Sequence, residues 1–277
     1  MKFVFFGYDF SLPIAQRLCE EGHELLNVYS FPCDERFNFN RQLRILAHRH
    51  NAPFSEERIN EAAVKRLINK GAEVFVVAGY PFKVPEIDET RACGINIHPA
   101  LLPRCRGIMP APWIIMEEPQ AAGITLHKLA SKIDAGDILL QQAIKIGDDS
   151  DVEELSARCM MIAPDMAAQV LDDLPSYWQK AQKQDESKAS SYSEPNETMR
   201  SLNWHEGVES VDRTYRAFGR FGALARIEGK TYAVYDLKTW AESHNYQPGH
   251  LVLALSREIV IAASDGFACL KDFEALG

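Results

Sequence analysis

The sequence predicts an α/β fold, in which a Rossmann-like, mostly parallel sheet precedes a small β-rich barrel domain. An apolar run at residues 2–6 and a strand pattern at residues 23–30 flank a stretch of helical periodicity. This β-α-β order implies parallel strands joined by a right-handed crossover. Short strand patterns separated by turn residues follow from residue 223 onward, which favours a β-rich domain at the end of the chain.

Strands and helices continue to alternate through the first part of the chain. Ser11 and Pro13 predict the start of the first helix, because serine caps helix ends and proline is tolerated in the first turn. Pro164 is expected to kink or divide the longest helix, because it has no backbone N–H to donate. Further strands are predicted at residues 73–78, 94–98, 124–129 and 138–146, and helices at 41–50, 60–69, from about 110, and at 151–182.

A polar segment separates the two predicted domains. Residues 183–197, KQDESKASSYSEPNE, are nearly free of apolar side chains, which is typical of a linker. We therefore predict a catalytic α/β domain at residues 1–182, a linker at 183–197 and a C-terminal domain at 198–277. In the C-terminal domain, a helix at 204–218 leads into strands at 223–227, 231–240, 251–255, 257–262 and 267–270.

Composition narrows the class of protein. A net charge of -9 argues against a surface built for phosphate backbones. The six cysteines include no C-x-x-C pair, so neither a zinc site nor a disulfide framework is indicated. Gly7 and Asp9 interrupt the apolar N-terminal run, and no run reaches transmembrane length. We expect a soluble cytoplasmic protein with reduced thiols, monomeric or homodimeric, without a metal and without a membrane partner.

Three polar side chains in the middle of the chain are candidates for catalysis. Asn96 and His98 are two residues apart on a predicted strand that Pro99 ends, so both face the same side. Asp134 opens the turn at residues 134–137, after the next predicted strand. Two strand ends would therefore present an amide, an imidazole and a carboxylate to one crevice, a set suited to proton transfer and oxyanion stabilisation.

This region resembles the formyltransferases that use 10-formyltetrahydrofolate, a family that includes methionyl-tRNA and amino-sugar N-formyltransferases. The matching segments are NIHPALLP at residues 96–103 with Gly107, GITLH at 123–127 and DAGDI at 134–138. Ala100 stands where serine is usual, and Cys105 where an aromatic residue is common. The β-rich part is similar to the oligonucleotide-fold-like domain appended to some family members.

The resemblance implies a formyl transfer with Asn96, His98 and Asp134 as catalytic residues. His98 would supply a proton or positive charge to the developing oxyanion, and the Asn96 amide would donate a hydrogen bond to the same oxygen. Asp134 would orient the imidazole and accept the proton of the amine, directly or through water. This chemistry requires no metal and no covalent enzyme intermediate.

The resemblance also implies a folate-binding site and an acceptor site. The loop at residues 79–85 has two interpretations: it packs on the core, or its backbone and Phe82 line a pocket for a flat heterocycle. The resemblance favours the second, because the family holds the pterin ring at this place. His127 either shapes the acceptor site or belongs to the core. The predicted folate-binding residues are Phe82, Lys83, Val84, Ala130, Ile133 and Asp134, and the predicted substrate-binding residues are Phe10, Arg104 and His127.

Charge distinguishes the possible acceptors. In transfer-RNA formyltransferases a long basic loop follows the second strand, whereas here residues 31–40 are short and contain Asp34, Glu35 and only Arg36. Residues 197–277 carry nine Lys and Arg against eleven Asp and Glu. Nucleic-acid affinity depends on many cationic contacts, so this chain favours a small amine. We expect a nucleotide-linked 4-amino sugar, with N-hydroxyornithine of siderophore synthesis as the second choice.

Three other functions stay open. A methionyl-tRNA formyltransferase is favoured by Arg213, Arg216 and Arg220, which share one predicted helix face, although pairing with Glu209 and Asp212 would equally explain them. A 10-formyltetrahydrofolate hydrolase uses the same three residues with water as nucleophile, but that family carries an N-terminal regulatory domain. A non-catalytic folate-binding protein is disfavoured because all three polar groups are present.

Overall fold

The computed structural model describes residues 1–255 and 257–276, with the exception of the Arg220 side chain. Within this part of the chain, two compact units are formed. The first comprises Met1–Pro110, Ala121–Lys145 and Ser156–Tyr192. The second comprises Ala111–Gln120, Ile146–Leu155 and the chain from Ser193 onward.

The first unit contains a seven-stranded sheet with the order β3-β2-β1-β4-β5-β6-β7. Strands β1 to β5 pair in parallel, whereas β6 runs antiparallel to both β5 and β7. The predicted mostly parallel α/β fold is therefore confirmed. The strands are β1 (Lys2–Gly7), β2 (Glu24–Tyr29), β3 (Phe54–Ser55), β4 (Val74–Ala78), β5 (Cys93–His98), β6 (Gly123–Lys128) and β7 (Ile138–Ala143).

The helices alternate with these strands, as their periodicity predicted. The longest predicted helix does divide, but the break falls at Asp173, and Pro164 lies inside the first of the two helices. The helices up to this point are α1 (Leu12–Glu20), α2 (Arg41–Arg49), α3 (Glu61–Asn69), α4 (Pro110–Met116), α5 (Val152–Asp172) and α6 (Leu174–Gln179).

The core of the first unit lies along the central strands. Phe3 and Phe5 on one face of β1, Phe6 on the other, and Phe75 on β4 are all completely buried. Parallel strands with both faces covered are apolar throughout rather than alternating, which explains the continuous apolar runs FVFF and VFVVA. These strands form a rigid frame for the loops at their ends.

The second unit contains a five-stranded antiparallel sheet with the order β10-β11-β12-β9-β8. The predicted C-terminal β-rich domain is confirmed in this form. Helix α8 precedes the sheet, as the sequence predicted. The elements are α7 (Glu197–Arg200), α8 (Val208–Phe218), β8 (Ala223–Ile227), β9 (Lys230–Ala241), β10 (Leu251–Ala254), β11 (Ile259–Ala262) and β12 (Gly266–Leu276).

The polar segment predicted as a linker begins inside the first unit. Its Ser190 hydroxyl accepts a hydrogen bond from the backbone N–H of Cys105 at 2.8 Å. The polar side chains that indicated a linker thus act as hydrogen-bonding partners up to Tyr192, where the first unit ends. The predicted division at 1–182, 183–197 and 198–277 concerns domains with separate functions. The compact units of the structure do not test such a division, so it stays a prediction.

No helix in the described ranges is both long enough and apolar enough to span a bilayer. The longest one, α5, carries acidic residues in its first turn.

Helix α2 offers a matched test of the core. Leu43 is completely buried, whereas Ile45 on the same helix is 43% exposed. We expect Leu43→Ala to lower the free energy of unfolding by about 2–5 kcal/mol, because it removes buried apolar surface and leaves a cavity. Ile45→Ala should change it by less than about 0.5 kcal/mol. Urea denaturation of both variants measures the difference, and equal effects would contradict this packing.

Candidate active site

Two polar side chains share one face of strand β5. Asn96 and His98 are two residues apart, and side chains alternate between the faces of a strand, so both project to the same side. The antiparallel pairing of β5 with β6 sets Asn96 directly opposite His127. Nδ2 of Asn96 lies 3.1 Å from Nε2 of His127. The register of the sheet thus assembles an amide and two imidazoles on one face.

The carboxylate of Asp134 reaches this face from the loop between β6 and β7. Its backbone is left-handed, with φ 50°, a conformation that aspartate tolerates better than most residues. The loop packs so closely on β6 that a Cβ atom at Gly136 would lie 1.8 Å from the carbonyl oxygen of Lys128. Oδ1 of Asp134 accepts a hydrogen bond from Nδ2 of Asn96 at 3.1 Å, and Oδ2 accepts one from the backbone N–H of Gly107 at 3.0 Å.

His98 is held between a carbonyl oxygen and Asp134. Its Nε2 lies 2.9 Å from the carbonyl oxygen of Cys105, and because a carbonyl can only accept, Nε2 carries the proton of this bond. Nδ1 faces Oδ2 of Asp134 at 3.7 Å. A proton that His98 gains therefore enters at Nδ1, beside the carboxylate that stabilises the charged ring.

The three residues predicted as catalytic lie together: His98 ends β5, Asn96 lies two residues before it, and Asp134 lies in the loop after β6 rather than at the end of that strand. His98 is 4% exposed and Asp134 is 9% exposed, and the Asp134 carboxylate lies against Asn96 and His127 on the face of the sheet. The reason is topological. Because β6 runs antiparallel to β5, the end of β6 lies at the opposite edge of the sheet from His98, and the following loop folds back along the face to reach Gly107.

Burial and charge set the protonation states of this cluster. Burial lowers the pKa of His98 below its usual value, and the Asp134 carboxylate opposes that shift. Burial alone would raise the pKa of Asp134. The attraction of the His98 ring in its charged form and the hydrogen bond from the Gly107 backbone instead hold that pKa well below its usual range. At neutral pH the cluster therefore contains a neutral His98 beside an ionised Asp134.

His127 is the fourth polar side chain of the cluster. It is 2% exposed, and its Nδ1 lies 2.8 Å from the carbonyl oxygen of Lys128, so Nδ1 carries a proton. Nε2 then accepts from Asn96 and lies 3.5 Å from Oδ1 of Asp134. The ring is thus buried, as a core residue would be, and it also contacts two of the predicted catalytic residues. Its assignment to substrate binding stays a prediction.

The predicted folate-binding residues lie on two loops. A hydrogen bond of 2.9 Å from Nζ of Lys83 to the carbonyl oxygen of Ser131 joins the loop after β4 to the loop after β6. Phe82 is partly buried against the core, and the guanidinium of Arg58 lies 4.3 Å above its ring. Val84 is buried in the same cluster, so its side chain belongs to the core. On the second loop, Ala130 and Ile133 are exposed and Asp134 is buried.

The two remaining predicted substrate-binding residues follow parallel strands. Phe10 follows β1, and its ring stacks on Tyr8 with centroids 5.9 Å apart. Arg104 follows β5 in the loop that also carries Cys105 and Gly107, and its side chain is half-buried. Because β1, β4 and β5 are parallel, the loops after them belong to one edge of the sheet. A role in substrate binding for either residue stays a prediction.

Two backbone groups of the cluster were missed from the sequence. The carbonyl of Cys105 fixes the tautomer of His98, and the N–H of Gly107 donates to Asp134. Of these two residues, only Gly107 was indicated by the sequence, because it is the glycine that follows the matched segment at residues 96–103. Its φ of 127° and a Cβ position 2.2 Å from the carbonyl oxygen of Tyr192 explain why glycine stands there.

No group of three or more His, Cys, Asp and Glu side chains in the described ranges is arranged to hold a metal ion. The hydrogen-bonded cluster can move protons and stabilise charge with its own side chains.

Comparison with known families identifies two matches that together cover most of the chain. Residues 37–171 match the formyl transferase family, and residues 196–277 match the formyl transferase C-terminal domain. A methionyl-tRNA formyltransferase of Anaplasma marginale is 30% identical over 79% of this chain and 74% of its own length. One from Coxiella burnetii (strain RSA 493 / Nine Mile phase I) is 27% identical over 100% of this chain and 91% of its own length.

Solved structures that share this fold include HypX and two N-formyltransferases. HypX from Aquifex aeolicus in complex with tetrahydrofolic acid has a TM-score of 0.72 and 17% identity, over 100% of this chain and 44% of HypX. WlaRD, a sugar 3N-formyl transferase, has a TM-score of 0.70 and 16% identity, over 100% of this chain and 98% of WlaRD. The N-formyltransferase from Helicobacter canadensis has a TM-score of 0.70 and 14% identity, with 99% of each chain covered.

The titration of His98 tests the geometry of the cluster. We expect the ring to titrate below the ordinary histidine pKa of about 6.5, because burial disfavours the charged form. Asp134→Asn should lower that midpoint further, since it removes the carboxylate that favours the imidazolium. Histidine ring NMR over a pH series measures both values. A midpoint that rises in Asp134→Asn would contradict the arrangement.

Proposed function

This chain belongs to the formyl transferase family and is a formyl-transferring enzyme, and we propose that it transfers the formyl group of 10-formyltetrahydrofolate to the amine of a small molecule. The acceptor that we propose is a nucleotide-linked 4-amino sugar, with N-hydroxyornithine as the second choice. The observation that carries the proposal is the cluster of Asn96, His98 and Asp134 beside one face of β5, in which Asn96 donates to Asp134 and Nδ1 of His98 faces the same carboxylate at 3.7 Å.

The two loops beside the cluster suit a folate. A partly buried aromatic ring at Phe82, with a guanidinium above it, offers a flat apolar contact next to a positive charge. The hydrogen bond from Lys83 to Ser131 keeps the loop after β4 beside the loop that carries Asp134. Formyl-folates combine a flat heterocycle with a carboxylate tail, so the chemistry of these residues fits such a donor. We propose Phe82, Lys83, Val84, Ala130, Ile133 and Asp134 as its binding residues.

Asp134 and His98 provide a path for one proton. Formyltetrahydrofolate, when bound, supplies an activated formyl group to the attacking nitrogen. Asp134 is ionised and accepts the proton that the amine loses, directly or through water. Its low pKa makes it a poor place for the proton to stay, so the proton passes to Nδ1 of His98, which faces Oδ2 at 3.7 Å and takes the proton once the two atoms close to hydrogen-bond distance or through one water. The resulting imidazolium can return that proton to the departing nitrogen.

Asn96 and His98 supply electrostatic stabilisation. The protonated ring of His98 places positive charge beside the oxygen that becomes negative during transfer. Asn96 is the side-chain amide donor of the cluster; its two hydrogens are donated to Asp134 and His127, and one of these bonds is exchanged for a bond to that oxygen during transfer. Donors that are already oriented lose little energy in reorganisation, which is why such groups are effective in transition states.

Charge pairing supports a small acceptor rather than transfer RNA. In the loop after β2, Oδ1 of Asp34 accepts three backbone hydrogen bonds, from residues 36–38, so the loop closes around an acidic residue. On α8, Arg213 pairs with Glu209 at 3.1 Å and Arg216 with Asp212 at 2.7 Å. The pairing expected as the alternative explanation of these arginines is thus present. The side chain of Arg220 lies outside the described part of the structure.

Methionyl-tRNA is the second candidate acceptor. Several relatives that match over the whole of this chain carry the name methionyl-tRNA formyltransferase. The charges of α8 argue against this acceptor, because Arg213 and Arg216 both pair with acidic side chains. Binding to a phosphate backbone requires many cationic contacts that release counterions. A direct assay of acceptors separates the two.

Substitution of the cluster tests the mechanism. We expect His98→Gln and Asp134→Asn each to lower kcat by roughly 10²- to 10⁴-fold, because each removes a proton-transfer group. His50→Gln, on an exposed ring, should retain full activity. Formyl transfer is followed by the appearance of tetrahydrofolate, and circular dichroism checks that each variant is folded. Activity retained in either cluster variant would remove that residue from the mechanism.

A panel of acceptors tests the substrate class. We expect formylated product with nucleotide-linked amino sugars or N-hydroxyornithine, and none with charged initiator transfer RNA at physiological salt, where a surface with few cationic contacts binds weakly. Mass spectrometry identifies each product. Formylation of transfer RNA alone would replace the proposed acceptor by the second candidate. Release of formate without any amine would instead identify a hydrolase.

A further inference from the structure

Residues 182–192 follow α6 and contact two loops of the active-site cluster, the loop after β5 and the loop that carries Asp134. We call residues 182–192 the return segment. Gln182 exchanges two backbone hydrogen bonds with Ile138, at the start of β7. Ser190 accepts from the backbone N–H of Arg106 at 3.0 Å and donates its own N–H to Pro103 at 3.2 Å. The return segment is therefore bonded to the loop after β5 at one end and to the end of the Asp134 loop at the other.

Gln184 uses its whole amide within this arrangement. Its Nε2 donates to the carbonyl oxygens of Asp134 and Gly136, both at 2.8 Å. Its Oε1 accepts from Nε of Arg106 at 3.1 Å and from Nη2 at 2.6 Å. An amide side chain has two donor hydrogens and an acceptor oxygen with two lone pairs, so every position is filled.

Arg106 anchors that amide from the other side. It is 2% exposed, and a buried guanidinium stays charged, so it requires acceptors. Gln184 provides one, and Glu186 accepts from Nη1 at 3.1 Å and from Nη2 at 2.6 Å. Hydrogen bonds from Arg106 lower the pKa of Glu186 to about 2, so the pair is ionised at neutral pH.

Both loops that the return segment holds are under backbone strain at the residues that touch His98. Asp134 has φ 50° and Cys105 has φ 53°. A left-handed conformation at such residues persists only where surrounding contacts enforce it. Gln184 bonds the carbonyl of Asp134, and the Ser190 hydroxyl bonds the N–H of Cys105, whose carbonyl accepts from His98.

We propose that Gln184 is a positioning residue for formyl transfer: it fixes the backbone of Asp134 and Gly136 so that the Asp134 carboxylate stays against Nδ1 of His98 and Nδ2 of Asn96. This inference rests on the proposed function of the same cluster. Gln184 touches neither reactant and acts through Asp134, while Arg106 holds its amide in the orientation that presents both hydrogens to the loop.

Two substitutions distinguish the donor role of the Gln184 amide from its acceptor role. Gln184→Leu removes the donors and the acceptor, whereas Gln184→Glu removes the donors and keeps an acceptor for Arg106. We expect both to lower kcat by roughly 10- to 100-fold, the usual loss when an orienting partner of a reactive group is removed. Gln182→Leu is the matched control, because Gln182 bonds to Ile138 through its backbone. Full activity in Gln184→Glu would overturn the role of the two donors.

A double-mutant cycle distinguishes positioning from a general structural effect. If Gln184 acts through Asp134, then Gln184→Leu should cause no further loss of kcat in an Asp134→Asn background. The same fold-loss in both backgrounds would overturn the proposal. Thermal unfolding of all four proteins accompanies the kinetics, so that a loss of folded enzyme is counted separately.

A titration keeps the inference testable even if no amine is formylated. Among the residues that the structure describes, the charged and titratable groups that act on His98 are Asp134 and His127, and the carbonyl of Cys105 faces its other nitrogen. Once Asp134 is no longer held, the ring loses the carboxylate that favours its charged form. We expect histidine ring NMR to show a lower midpoint for His98 in Gln184→Leu than in wild type or Gln182→Leu. An unchanged midpoint would overturn the proposal, whereas failure of transfer in wild type with a shifted midpoint would count only against the proposed function.

Discussion

The buried carboxylate of Asp134 is the group on which the rest of the site depends. A charge in a region with little water is costly unless donors surround it, and here a side-chain amide and a backbone N–H from separate parts of the chain donate to it. Asn96, on a strand, donates to Oδ1, and Gly107, in a loop, donates to Oδ2, which Nδ1 of His98 also faces. Removal of any donor would leave the same charge less well compensated. The register of β5 and β6, the close approaches at Gly107 and Gly136, and the left-handed backbone of Asp134 all place this carboxylate beside its donors.

Much of this arrangement was accessible from the sequence. The continuous apolar runs of β1 and β4 are what a parallel sheet covered on both faces requires, and the spacing of Asn96 and His98 places both on one face of a strand. What could not be foreseen was the path of the loop between β6 and β7. Strand direction decides at which edge a loop begins, and no local pattern in the sequence reveals that β6 is antiparallel to β5.

The polar segment after α6 illustrates a second limit. Serine, lysine and glutamine in succession are typical of a flexible linker, because they offer little apolar surface to bury. The same side chains can also satisfy the buried polar groups of another segment, as Gln184 and Ser190 do. Composition does not distinguish these cases, since the partner, Arg106, is distant along the chain. Its burial is evident only in three dimensions.

The length of the return segment has a practical consequence for recombinant fragments. A truncation at the compositional boundary, after residue 182, would retain every strand of the seven-stranded sheet and would still delete Gln184, Glu186 and Ser190. Arg106 would then be left with its charge in the interior and without these acceptors. A minimal version of the first unit therefore has to extend to Tyr192, where the compact unit itself ends.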